Sequence, residues 1–327
     1  GIRKAAFIES LGRMQYAPAS KILLEVLSDP MSEAFLKQKA TMALAEIAQP
    51  DSYDILFKAV ESEEYRLGDN RAIIAYIHYG NRLVEQGNLS LGERIAKSLL
   101  KNCTENNQLS YRAAGINMLT SSIRENATKT LLKEAKHHDA AYRGSVLKAA
   151  GQNLTSMEVL KWVRQYRKIE DSGKIQLLEM LRERQEPEVL DKCIVKAIES
   201  DNESLKLAGI RALAFQKKER ALPLIFNELK GGNTDATLTT SQNTLLKIGG
   251  ADDGPLIAEK LSGIENQKAK GVLVNVLADR NATNQFEAIA GLLDKANPDL
   301  QKAIYKAMPS VSTEKNLSNL MEMLSLT

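Results

Sequence analysis

Lys206-Leu207-Ala208-Gly209-Ile210-Arg211-Ala212-Leu213 and Arg112-Ala113-Ala114-Gly115-Ile116-Asn117-Met118-Leu119 obey one rule. A basic residue is followed at two positions by a small one, at four by isoleucine and at seven by leucine. The isoleucine and leucine, three apart, share a helix face, so each octet predicts two turns of amphipathic helix. The same frame extends outward over the chain. Its anchors are Leu11, Ile47, Ile77, Leu119, Ala149, Leu181, Leu213, Ile248, Leu277 and Met308, separated by 29 to 42 residues with a mean of 33. Self-similarity at that period is the signature of a helical repeat array.

Three positions before each anchor stand Ile8, Leu44, Ile74, Ile116, Val146, Leu178, Ile210, Leu245, Val274 and Tyr305. Five before, Ala6, Ala72, Ala114, Gly144, Ala208 and Ala303 are small, which predicts close approach of a neighbouring helix. Seven before, Lys4, Arg112, Lys174, Lys206 and Lys270 are basic. A second apolar segment precedes each anchored one, as in 18–27, 52–60 and 221–229, so each repeat holds two helices. The eight prolines are expected between helices or in first turns. Asp29, Asp51, Asp201, Asn202, Asn281 and Ser312 stand where caps are wanted, and no alternating pattern predicts a strand.

Composition agrees. Residues are 43% hydrophobic but only 5% aromatic, which suits helices laid on helices. With 44 basic and 41 acidic residues the net charge is +3, too small a field to favour nucleic acid or an acidic membrane. No apolar run is long enough for a membrane span. Cys103 and Cys193, far apart in helical stretches, read as buried free thiols. The expectation is an all-α solenoid of about ten helical hairpins forming one array over residues 1–327.

The basic-x-small-x-apolar-x-x-Leu pattern, following Pro-x-x-Ile/Leu-Leu-x-x-Leu-x-Asp, resembles HEAT repeats of the short bacterial type, similar to those of phycobilin lyases. The resemblance covers nearly the whole chain and is faintest near 80–107. There the anchor spacing reaches 42 and Gly87 to Leu100 looks like a tetratricopeptide hairpin. The resemblance implies a right-handed α-α superhelix whose anchored helices line a concave face, and that the basic residue seven before the anchor ties neighbouring turns together. It further implies a non-catalytic scaffold for a protein partner, as a region of a larger bacterial protein of the cytoplasm or periplasm. The partner could equally be that protein's own further domain, or a glycan if the array accompanies a carbohydrate-acting domain.

Catalytic signatures are absent from the sequence: there is no Gly-rich phosphate loop, His-Glu-x-x-His, Cys-x-x-Cys or Gly-x-Ser-x-Gly. No cofactor or metal is expected, and His137-His138 reads as a surface turn before Asp139. Two binding expectations remain. Tyr65-Arg66, Tyr111-Arg112 and Tyr142-Arg143, with Tyr76, Tyr79 and Arg82, would form a ridge on the concave face, since Tyr and Arg carry binding hot spots; the alternative is that the tyrosines pack between repeats. Trp162 among Lys161, Arg164, Arg167 and Lys168 would fit the groove of a helical-repeat DNA glycosylase or lyase, or else an ordinary helix with a solvated basic side. Seven Asn-x-Ser/Thr sequons, at Asn88, Asn102, Asn126, Asn153, Asn202, Asn281 and Asn316, read as capping sites as readily as glycosylation sites.

Overall fold

A computed structural model describes residues 1–152, 154–182 and 187–325; the sequon at Asn153 lies outside them. The described residues contain helices and turns and no strand. Contacts gather into two compact units, Gly1–Glu158 and Val159–Thr327.

The first unit contains α1 (Ile2–Arg13), α2 (Ser20–Ser28), α3 (Ala34–Ile47), α4 (Tyr53–Ser62), α5 (Ala72–Glu85), α6 (Leu89–Asn102), α7 (Leu109–Ile123), α8 (Thr128–Glu134) and α9 (Ala140–Gln152). Within it α1 packs on α3, α3 on α5, α5 on α7 and α7 on α9, while α2, α4, α6 and α8 each pack on the helix that follows. The division between units falls inside α10 (Ser156–Gln165).

The second unit continues through α11 (Asp171–Leu181), α12 (Pro187–Ile198), α13 (Glu203–Ala212), α14 (Lys218–Lys230), α15 (Asp235–Ile248), α16 (Gly254–Leu261), α17 (Gln267–Asp279), α18 (Phe286–Ala290), α19 (Pro298–Val311) and α20 (Leu317–Ser325). The same alternation holds: α11 packs on α13, α13 on α15, α15 on α17 and α17 on α19, with α12, α14, α16 and α18 each against the next helix.

The anchored frame falls on the odd-numbered helices, with Leu213 in the 3-10 turn that closes α13. Leu44, Ile116, Val146, Ile210, Leu245 and Val274 are fully or almost fully buried. Two positions depart from it. Ile74 and Tyr305 are exposed, and their helices turn Ile73 with Tyr76, and Ile304 with Met308, to the core instead. A one-residue shift rotates a helix face by about 100°, so apolar spacing alone leaves that choice open.

Close approach uses the expected position in part, with Ala72 and Ala208 buried, and the next position along as well. Ala6 is exposed, whereas Ala43, Gly115 and Gly209, four before their anchors, sit where helices meet. A Cβ on Gly12 would stand 2.8 Å from the Ala43 Cα, and one on Gly209 would stand 2.9 Å from the Ala197 Cβ.

Local chemistry corrects three further expectations. Asn202 caps its helix, accepting from the Leu205 N–H at 3.2 Å, and Asn88, Asp139, Thr234, Asn266 and Asn297 cap others. Asp29 instead follows α2 and holds the Met31 N–H at 2.9 Å, and Asn281 has φ 50°. Pro223 and Pro309 lie inside α14 and α19 rather than between helices. Both are exposed, so the carbonyls their rings leave unpaired meet solvent, while Leu222, Ile225 and Phe226 hold the inner face of α14. Between 80 and 107 the chain forms a tight hairpin of α5 and α6, turning at Gly87 with φ 85° and the Asn88 N–H on the Leu83 carbonyl at 2.8 Å. The fourteen-residue α6 and the 3-10 turn at Asn106–Gln108 account for the wide spacing there.

Candidate functional site

Most of the expected Tyr-Arg ridge is interior. Tyr65, Tyr76, Tyr79, Tyr142, Arg143 and Trp162 are each between 0% and 4% exposed, so none of these side chains can form a surface contact as the protein stands. Tyr65-Arg66 is not on an anchored helix at all; it lies in the connection between α4 and α5, with Tyr65 at φ 57°. Its hydroxyl is 2.6 Å from the Ser98 Oγ, and its ring meets Tyr76 edge-on at 6.4 Å. Tyr79 donates to the Gln49 carbonyl at 2.8 Å. Burial raises the phenol pKa of all three, keeping them neutral. These rings bury large areas between helices while their hydroxyls find partners in most cases, which is the packing alternative. Tyr111 is half-buried, Arg66 is exposed and paired with Glu105 at 2.7 Å, and Arg82 pairs with Glu85.

Arg112 organises a polar node. Its Nε and Nη2 donate to the two Glu134 oxygens, each at 2.9 Å, and Nη1 donates to the carbonyls of Leu100 and Cys103 that close α6. Tyr142 donates to the same carboxylate at 2.7 Å. Burial alone would push the Glu134 carboxyl up, but hydrogen bonds from Arg112 and Tyr142 outweigh it and hold the pKa below the usual range. Arg143, 1% exposed, donates to the His137 and His138 carbonyls at 2.9 and 3.4 Å. The two imidazoles stack at 4.5 Å in the turn before Asp139, where a surface turn was expected. Among the repeat-position cations, Arg112 and Lys206 thus reach carboxylates 22 residues on, Lys206 meeting Glu228 at 3.2 Å, and Lys174 pairs locally with Asp171. This is a bracing role between turns, and it consumes the charge.

Cys103 and Cys193 are buried free thiols, with burial raising each pKa to about 11. Neither is a thiolate at neutral pH, so neither is an activated nucleophile.

Two clefts offer unconsumed chemistry. In the first unit, a cleft of about 400 Å³ crosses α1, α3 and α5 and is lined by Glu9, Arg13, Lys39, Met42, Glu46 and Ile74 among others. Lys39 pairs with Glu9 at 2.9 Å, and the His78 Nε2 stands 3.0 Å from Glu46. Both signs of charge and two apolar side chains thus alternate across three successive anchored helices. In the second unit, a cleft of about 410 Å³ is lined by Arg164, Arg167, Lys168, Lys192 and Lys196 with Val163, Tyr166 and Cys193. The Arg164–Lys168 segment was legible as basic, but Lys192 and Lys196 join it only through folding. Trp162, the aromatic that would stack a base, is 1% exposed and does not line this cleft. No helix of the described residues is long and apolar enough to cross a membrane.

No family model matches the chain, and no curated protein matches it in sequence.

Proposed function

We propose that the chain is a HEAT-like α-solenoid serving as a non-catalytic protein-interaction scaffold, with a partner segment lying across the exposed side of α1, α3 and α5. The carrying observation is the cleft on those helices, where three successive repeats contribute to one surface of about 400 Å³. The alternating packing of odd and even helices within each unit supports the repeat reading. Arg13 and Arg71, beside the Glu9–Lys39 pair, supply charges that fix register, and Met42 with Ile74 supplies apolar contact. A peptide carrying acidic residues around an apolar one is the complementary partner.

Photo-crosslinkers placed at Arg13 and at Ile74 of the full chain test this in cells of the source organism. The expected result is one protein captured from both positions, lost on Met42→Glu, and not captured from Glu219 on α14. Capture of nothing at either position, or the same capture from Glu219, overturns the reading.

A further inference from the structure

We infer that the cationic cleft of the second unit is a binding site for a compact anion carrying two or three linked phosphoryl groups. The inference is independent of the scaffold reading and concerns a different surface.

One wall is formed by the end of α10 and the following 3-10 turn at Tyr166–Lys168, which present Arg164, Arg167 and Lys168. The other is α12, which presents Lys192 and Lys196 one helical turn apart. All five cations are exposed, and none pairs with a carboxylate among the described residues. Of the acids close to them in sequence, Asp171 pairs with Lys174 and Asp191 with Arg220. The charge has an ordinary structural use in part: cations at a helix C-terminus complement the macrodipole, which suits Arg164, Arg167 and Lys168. It suits Lys196 too, in the last turn of α12, but it does not explain Lys192, and like charges four apart on a helix repel each other. Converging five cations on one small concavity from two elements costs stability unless an anion is present.

A second observation lies in the wall itself. Tyr166 is 4% exposed and lines the cleft, yet its hydroxyl has no hydrogen-bond partner. Burial raises its pKa to about 12, so the hydroxyl stays protonated, an unpaired donor sealed from solvent behind the cationic wall.

Ligand class follows from charge and volume. A terminal phosphoryl group carries close to two negative charges and a bridging one about one, so a chain of three comes near to matching five cations within about 410 Å³. Arginine adds the planar fork that suits phosphoryl oxygens. A carboxylate peptide would need several residues in the same space to supply equal charge. Nucleic acid would need an exposed aromatic platform or an extended basic track, and Trp162 is buried.

The experiment is calorimetric titration of the full chain at low salt with sodium tripolyphosphate, sulfate, a hexaglutamate peptide and a short DNA duplex. Tripolyphosphate is expected to bind at least about tenfold more tightly than sulfate or the peptide, and the double variant Lys192→Gln/Lys196→Gln to weaken it at least about tenfold. Lys230→Gln/Lys302→Gln removes the same net charge elsewhere in the unit and should leave affinity within about twofold. ATP run in parallel separates the sources: affinity equal to tripolyphosphate supports a nucleotide tail, and affinity tenfold lower supports a free phosphate chain. Equal affinity for sulfate or hexaglutamate, tighter binding of DNA, or an equal loss in both double variants overturns the assignment.

Discussion

Arg112 and the five cations of the second unit's cleft are the same chemistry put to opposite ends. Arg112 is 14% exposed, with every guanidinium nitrogen committed: two to Glu134 and one to the carbonyls closing α6. Arg164, Arg167, Lys168, Lys192 and Lys196 are exposed and meet no carboxylate among the described residues. A cation surrounded by its own acceptors braces the fold and has nothing left for a ligand. A cation held beside other cations does little for the fold and is left free to bind. Partnership and burial, rather than residue type, divide structural charge from functional charge in this protein.

Glu134 is where a single substitution costs most. Glu134→Ala should destabilise the first unit by about 3–5 kcal/mol, because it strands a mostly buried guanidinium. Hydrogen exchange along α7 and α9 reads this without interference from the second unit. Arg112→Met/Glu134→Leu should recover much of the loss, and failure to do so would mean that the bracing of the α6 carbonyls matters more than the ion pair.

Acid reaches the same node without a substitution. Glu134 has a folded pKa below its unfolded value, so its contribution is present above the unfolded carboxylate range and is lost as pH falls through the folded value. Protection of α7 and α9 should therefore decline on acidification ahead of that of α19, which carries no buried carboxylate. Equal decline in both would remove the node's special place.

Arg280 is an intermediate case that sharpens the contrast. It is buried, with Nη2 on the Leu245 carbonyl at 2.6 Å, but Nη1 makes no hydrogen bond and stands 4.0 Å from Asp253. Burial lowers its pKa, with Asp253 only partly offsetting the effect. Asp253 keeps Lys218 and the Gly250 N–H when Arg280 is removed. Arg280→Met should cost about 1–2 kcal/mol in urea unfolding, less than Glu134→Ala, because one carbonyl loses its donor and no charge is stranded. A larger cost would show that loose geometry does not weaken a buried pair.

Lys192→Gln/Lys196→Gln should give the smallest effect, within about 0.5 kcal/mol and on the stabilising side, since it removes a like-charge repulsion. A clear loss of stability would place these lysines with Arg112 and end the contrast.

Local pattern is enough for the helical class, the odd-even alternation of segments and which helix of each pair carries the apolar anchor, because a 3.6-residue period repeats whatever the surroundings. The resemblance to HEAT repeats pointed to a bracing role for the basic residue seven before each anchor, which Arg112 and Lys206 fill and Lys174, pairing within its own helix, does not. Three matters were decided only by the tertiary structure. The inward rotation of α5, which buries Ile73 and Tyr76 and exposes Ile74, depends on which neighbour each face meets. The burial of Tyr65, Tyr142, Arg143 and Trp162, residues with surface-like chemistry, depends on partners 20 or more residues away or in a connecting loop. The cationic cleft pairs residues 164–168 with 192 and 196 across an intervening helix, and no local pattern records that meeting. Periodicity is a property of one helix; charge convergence is a property of two, and only packing brings two together.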